Sequence, residues 1–143
     1  MILKQEYLYC DFKTNIMISS EFTSSNFEFK KASGFIKLSG RFISVNPNER
    51  WDSILTIAED IAMNSKRLKI ILDIEYISSM DIKYLFVLLK SVNALKNPSS
   101  VLSIVWKYES FDEDHMDLGM TLKSSLAGNV SFQFIESDTL LAA

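Results

Sequence analysis

Two adjacent serines, Ser78 and Ser79, are the residues of this chain with the clearest potential for chemistry. They lie between an apolar run at 68–74 and an amphipathic stretch that follows. A serine at such a junction can cap a helix by accepting a hydrogen bond from a free backbone N–H group, and Asp81, three residues after Ser78, completes a pattern similar to a capping box. The same position suits a phosphoryl group, because the N-terminus of a helix stabilises an added anion. The two interpretations are compatible.

Other residues suited to catalysis or metal binding are sparse. The single histidine, His115, has no histidine or cysteine partner for a zinc site, and we expect it to be an ordinary surface residue. The acidic stretch around it lacks the spacing of a calcium loop, and Cys10 has no activating neighbours. The four glycines form no phosphate-binding loop. The sequence therefore predicts no catalytic residues, no metal and no cofactor, and favours a binding or regulatory protein over an enzyme.

Length and composition narrow the class of protein further. The chain has 143 residues, 48% hydrophobic and 23% charged, which is typical of one folded domain. Its net charge of −3 argues against nucleic-acid binding, and its densest positive group, Lys66, Arg67 and Lys69, is interpreted as a solvated loop. It has no signal peptide, no apolar run long enough to span a membrane and a single cysteine, which together predict a cytoplasmic protein with no membrane partner.

Hydrophobic periodicity predicts the elements that position the two serines. The predicted elements are a hairpin at 24–40 ending at Gly40, a loop at 41–50, a helix at 51–66, a strand at 68–74 buried on both faces, a helix from the serines to Asn97, a strand at 101–108, a helix at 112–128 and a strand at 130–136. The order β-β-α-β-α-β-α-β predicts an α/β domain, a mixed sheet with helices packed on it and parallel pairs joined by right-handed crossovers.

Three stretches of the sequence resemble a known family. A strand, a serine at a β–α corner and an amphipathic helix are similar to the STAS fold of bacterial anti-sigma factor antagonists, and the closer resemblance is to the SiaC-type regulatory phosphoproteins, a STAS-like family. The stretches that carry it are GFIKLSGRF at 34–42, LDIEYISSMDIK at 72–83 and VWKYESFDEDHMDLGMTLKSSL at 105–126. The resemblance implies one STAS-like regulatory domain over 1–143, with a family-like core at 26–136, extra N-terminal strands at 1–25 and a tail at 137–143.

The resemblance also implies a function without catalysis. In such proteins a kinase with a histidine-kinase-like ATPase fold phosphorylates the corner residue and a PP2C-type phosphatase reverses the modification. The unphosphorylated form binds and regulates a target such as a diguanylate cyclase, which raises cyclic di-GMP and promotes biofilm formation. Carried onto this chain, the phosphorylated residue is Ser79, with Ser78 as second choice. The residues expected to contact the partner are Tyr76, Ser78, Met80, Asp81, Lys83 and Tyr84.

Two further interpretations stay open at the level of the sequence. The chain could be a STAS-like interaction or scaffold domain that does not switch, in which Ser79 serves only as a helix cap. It could also be an enzyme or a carrier of a small ligand, which would require a pocket lined by convergent polar groups.

Overall fold

The computed structural model describes residues 10–11, 16–18 and 25–137. The strands are β1 (Cys10–Asp11), β2 (Ile16–Ile18), β3 (Asn26–Lys30), β4 (Phe35–Phe42), β5 (Leu68–Ile77), β6 (Leu102–Tyr108) and β7 (Val130–Glu136). The helices are α1 (Pro47–Asn64), α2 (Ser79–Leu95) and α3 (Glu113–Ser124), and a 3-10 turn at Lys31–Ser33 joins β3 to β4. The remainder of the predicted N-terminal strands and nearly all of the predicted tail lie outside the described residues.

The strands form one mixed sheet in which neighbours in space are neighbours in sequence, from β1 to β7. The pairs β1–β2, β2–β3 and β3–β4 are antiparallel, whereas β4, β5, β6 and β7 run parallel. From β3 onward the elements follow the predicted order, and the predicted α/β class with a mixed sheet is confirmed. Among the described helices, none combines the length and the apolar character needed to cross a membrane.

The three helices pack on one face of the sheet. Right-handed crossovers between adjacent parallel strands place their helices on the same side of a sheet. Burial along β5 agrees with this arrangement, because Leu68, Ile70 and Leu72 are buried while Lys69 and Glu75 are exposed. The prediction that this strand is buried on both faces is therefore wrong. An apolar run of this length does not distinguish a sheet covered on one side from a sheet covered on both.

Two strands extend beyond their predicted ends because they pair with each other. Gly40 adopts a left-handed conformation with φ of 92°, and the β4–β5 register shifts between Gly40 and Arg41. A β-bulge of this kind bends a strand without ending it, so β4 continues to Phe42. Its last two residues pair with Tyr76 and Ile77, which belong to β5 and not to a turn.

The helix boundaries also differ from the predictions. Helix α1 begins at Pro47, inside the predicted loop, because proline is well suited to the first position of a helix. Helix α3 is shorter than predicted, since Asp112 caps it and it ends at Ser124. The carboxyl ends of the four parallel strands, at Phe42, Ile77, Tyr108 and Glu136, define one edge of the sheet, which we term the carboxyl edge. Their starts define the opposite amino edge.

Candidate functional site

The two serines lie at the carboxyl edge, in the connection from β5 to α2. The backbone N–H of Ser78 donates to the carbonyl of Phe42 at 2.9 Å, which ties this connection to the end of β4. Ser78 has an extended backbone, with φ of −72° and ψ of 159°, and is the N-cap of α2. Ser79 is the first residue of that helix, and its side chain is exposed. Loops at the carboxyl ends of parallel strands are the usual location of binding sites in α/β sheets.

The hydroxyl of Ser78 is engaged in two hydrogen bonds with one residue. Its oxygen accepts from the backbone N–H of Asp81 at 3.2 Å, and the hydroxyl donates to Oδ2 of the same residue at 2.6 Å. The first bond is a side-chain N-cap of α2. The predicted capping box is not formed, because the Asp81 carboxylate accepts from the Ser78 hydroxyl while the Ser78 backbone N–H donates to Phe42. The cap of α2 is therefore Ser78 and not Ser79. The alternative of an interaction domain that does not switch is unaffected by this assignment.

Asp81 lies inside the protein and has no exposed surface. Besides the Ser78 hydroxyl, its carboxylate accepts from the indole Nε1 of Trp51 at 2.7 Å and from the backbone N–H of Ser44 at 3.1 Å. The carboxylate thus joins helix α1, the loop after β4 and the start of α2. It was predicted as a partner contact, and the structure corrects this: its burial leaves no surface for a partner, so its role is to position the corner.

The other residues predicted to contact a partner divide by exposure. Tyr76 and Met80 are 48% and 54% exposed, and Lys83 is exposed as well. Ser78 and Tyr84 are half-buried, and the ring of Tyr84 is stacked on Trp51 with 6.2 Å between centroids. These residues therefore lie at one corner, with Asp81 beneath the surface.

Three exposed apolar residues at the same edge were not predicted from the sequence. Ile43 and Val45 lie in the loop that follows β4, and Phe111, which is 71% exposed, lies in the connection from β6 to α3. The hydrogen bond from Ser44 to the Asp81 carboxylate places the first loop against the start of α2. Single apolar residues in loops are common on protein surfaces, so the sequence carried no signal that these three lie at one edge.

The prediction that His115 is an ordinary surface residue is wrong. Its side chain is only 9% exposed and is stacked on the indole of Trp106, with 4.5 Å between ring centroids. Burial lowers the pKa of the imidazole, although the Asp112 carboxylate and a hydrogen bond with the Lys107 backbone act in the opposite direction. The burial of His115 was not predicted because the acidic residues at the start of α3 do not indicate that the third residue of the helix faces the sheet.

A cavity of about 300 Å³ adjoins the histidine at the carboxyl edge. Its lining residues are Asp73, Ile74, Glu75, Lys107, Tyr108, Glu109, Asp112, His115 and Ser137. The ammonium of Lys107 lies 4.0 Å from the Asp73 carboxylate, and both side chains are partly exposed. Within the described ranges, no group of three His, Cys, Asp or Glu residues could hold a metal ion.

Comparison with known proteins gives one family and one fold. The sequence model of a family described as SiaC family regulatory phosphoprotein matches residues 18–137. No curated protein gives a significant sequence match. Among solved structures, one chain matches from the crystal structure of a complex between the diguanylate cyclase SiaD and its activator SiaC from Pseudomonas aeruginosa. The match has a TM-score of 0.67 and 14% identity, and it covers 82% of this chain and 98% of the matched chain. SiaC of Pseudomonas aeruginosa matches with a TM-score of 0.65 and 14% identity, over 82% and 96%.

Proposed function

This chain belongs to the SiaC family of regulatory phosphoproteins, and on that premise we propose that it is a non-catalytic, phosphorylation-controlled partner-switching protein of the cytoplasm. In the unphosphorylated state it binds and regulates a signalling target of the diguanylate cyclase class. A cognate kinase with a histidine-kinase-like ATPase fold phosphorylates Ser79 and blocks that binding, and a PP2C-type phosphatase restores it. The likeness to a chain from the complex of SiaD with its activator SiaC supports the class of target.

The observation that carries the proposal is the contrast between the two serine hydroxyls. Ser79 presents its hydroxyl to solvent at the first position of α2, where a kinase can reach it. Phosphorylation of Ser78 would require its hydroxyl to leave both hydrogen bonds with Asp81 and would remove the cap of the helix. The neighbouring hydroxyl can be modified with the helix start intact, and this favours Ser79 as the phosphorylated residue.

Electrostatics at the start of α2 favour a phosphate on Ser79. The backbone N–H groups of the first helical turn and the positive end of the helix dipole stabilise an anion at this position. A phosphoryl group brings nearly two negative charges and three acceptor oxygens. The modified corner therefore stays folded while its surface charge changes sharply.

The apolar side chains near Ser79 explain how that charge would block a partner. Exposed apolar residues lie at the same edge, in or next to the connections that follow β4, β5 and β6: Ile43, Val45, Tyr76, Met80 and Phe111. A partner that covers these side chains also covers Ser79 and must remove water from it. Removing water from a neutral hydroxyl costs far less free energy than removing it from a dianion, so phosphorylation weakens the complex.

The first test is phosphorylation in vitro, followed by intact-mass measurement. Incubation with the cognate kinase and ATP is expected to add the mass of one phosphoryl group to the wild type and to the Ser78→Ala variant, and nothing to the Ser79→Ala variant. An unmodified wild type, under conditions in which the kinase phosphorylates itself or another substrate, would favour an interaction domain that does not switch.

The second test is binding to a diguanylate cyclase from the same organism. Because one added charge mimics part of the phosphate, Ser79→Glu is expected to weaken binding at least tenfold, whereas Ser79→Ala keeps the affinity of the wild type. Ser131→Glu places the same charge on an exposed residue near the start of β7, away from the carboxyl edge, and serves as the matched control. Equal affinities for the two glutamate variants would refute the role of Ser79.

A further inference from the structure

A second cavity lies at the amino edge of the sheet, at the opposite end of the parallel strands from the serines. Its volume is about 480 Å³, within the range of small-molecule sites. The residues that line it, which we term the amino-edge pocket, are Ser33, Lys66, Arg67, Leu68, Lys69, Ser99, Ser100, Val101 and Ser103. They come from the segments that precede or begin β4, β5 and β6.

The charge of the amino-edge pocket is entirely positive. Three cationic side chains line it, from Lys66, Arg67 and Lys69, and no acidic residue does. All three are exposed, and none forms an ion pair with another residue in the part of the chain that the structure describes. Like charges held together without a counter-charge repel each other, and they do so here in a chain whose net charge is −3. This arrangement favours the binding of an anion.

Hydrogen bonds hold the cationic segment against the start of β6. The hydroxyl of Ser100 donates to the carbonyl of Lys66 at 2.7 Å, and the ammonium of Lys96 donates to the Ser100 carbonyl at 3.0 Å. Lys96 is only 8% exposed, so a buried fourth cation lies one hydrogen bond from the pocket wall. The segment is therefore fixed in place by bonds that do not use the pocket-lining ammonium and guanidinium groups.

The sheet register adds hydroxyl donors to the three cations. Lys69 and Ser103 are direct partners in the parallel β5–β6 pairing, so their side chains leave the same face of the sheet side by side. The hydroxyl of Ser33, at the end of the turn before β4, makes only a long contact of 3.5 Å with the Lys30 carbonyl. Cationic groups and hydroxyls converging on one cavity are the donors that phosphate oxygens accept from in proteins.

We propose that the amino-edge pocket binds a small molecule through a phosphate-bearing group. Three cations and several hydroxyls suit a polyanionic group such as a diphosphate. The only apolar lining residues are Leu68 and Val101, so the lining has no aromatic ring on which a nucleic-acid base could stack. Ten residues of β5, roughly 30 Å, separate the pocket from Ser79, so the ligand does not touch the proposed partner surface.

The proposal is tested by calorimetric titration of the full chain with sodium pyrophosphate, and separately with ATP, at constant ionic strength. Pyrophosphate is expected to bind saturably, with an affinity that falls as salt is raised because ion pairs with exposed cations are screened. Arg67→Gln and Lys69→Gln are each expected to weaken binding about tenfold, the loss of one charge-assisted contact. Lys90→Gln removes an exposed cation on α2, outside the pocket lining, and should leave the affinity unchanged.

Several results would overturn the proposal. Pyrophosphate that gives no saturable heat at millimolar concentration excludes the site, and so does ATP binding without pyrophosphate binding, which would mean that the base or sugar is recognised instead. Equal loss of affinity in Lys90→Gln and Arg67→Gln shows general charge attraction only. The salt dependence of the wild type needs no variant, and an affinity independent of salt also contradicts phosphate recognition by exposed cations.

Discussion

At the scale of single residues, the structure distinguishes Ser78 from Ser79, whereas from the sequence either serine could be the helix cap or the phosphorylated residue. The hydroxyl of Ser78 is held in the N-cap and Ser79 is exposed, so the helix cap and the proposed phosphorylation site are different residues. Asp81 makes this possible because it accepts hydrogen bonds from three different segments while remaining buried. Asp81, which was expected to contact a partner, therefore lies beneath the exposed residues of the corner and holds it in place.

Removal of the Asp81 carboxylate is expected to destabilise the whole domain. Asp81→Ala leaves the Trp51 indole N–H and the Ser44 backbone N–H without acceptors in the interior, which should lower the free energy of unfolding by about 3 kcal/mol. Asp52→Ala, at an exposed position on α1, should change it by no more than about 0.5 kcal/mol. Urea denaturation followed by tryptophan fluorescence measures both, and equal stabilities would contradict the role assigned to Asp81.

At the scale of elements, helix α3 approaches the sheet unusually closely at one residue. Gly119 faces Trp106 and Phe134, and a Cβ atom added there would lie 2.6 Å from the indole Nε1 and 2.8 Å from the Phe134 ring. The same indole N–H donates to the His115 carbonyl at 3.2 Å, which fixes the helix start over β6. The contact between α3 and the sheet therefore depends on the absence of a side chain at this position.

Gly119→Ala is expected to destabilise the protein although alanine is the better helix former. The gain in helix propensity is about 1 kcal/mol, whereas the steric overlap with two aromatic rings should cost about 3 kcal/mol. The expected net loss is therefore about 2 kcal/mol in the free energy of unfolding, measured by urea denaturation. Met120→Ala, at the exposed neighbouring position, provides the control and should stay close to wild type. A more stable Gly119→Ala variant would show that α3 can move away from the sheet at little cost.

At the scale of the whole molecule, the buried histidine couples folding to pH. Burial lowers the pKa of His115 in the folded state below its ordinary value of 6.5, so the unfolded chain binds a proton more readily. The stability contributed by the neutral imidazole is fully present above pH 6.5 and is lost as the pH falls toward the folded-state pKa. The Asp112 carboxylate and the hydrogen bond with the Lys107 backbone favour the charged imidazolium, and they limit this loss without reversing it.

The expected result is a fall in the melting temperature of the wild type as the pH is lowered from 7 through the range just below 6.5. His115→Gln has no group that titrates there and should show a flatter profile over the same range. Thermal unfolding by circular dichroism in buffers of equal ionic strength measures both proteins. Parallel profiles would show that other groups cause the pH dependence.

The sequence was sufficient to predict the type and order of the elements from β3 onward and the position of the corner at 78–81, because both depend on local patterns. The apolar periodicity of α1 and the serines before α2 can be read within a few residues. The burial of Asp81 could not be predicted, since it depends on Trp51 and Ser44, which lie 30 and 37 residues away in sequence. His115 was misjudged for the same reason, because the indole on which it is stacked belongs to β6. Polar residues are buried where tertiary contacts satisfy them, and those contacts have no local signature.

The order of the strands in the sheet also bears on how the protein folds while it is being synthesised. From β3 to β7 the strands lie side by side in the order of translation, so each strand that leaves the ribosome meets a neighbour that has already been synthesised. Each crossover from β4 to β7 contains a single helix, so each parallel strand pairs with the strand that was synthesised just before it. The sheet can therefore assemble vectorially during synthesis, with β7 docking last.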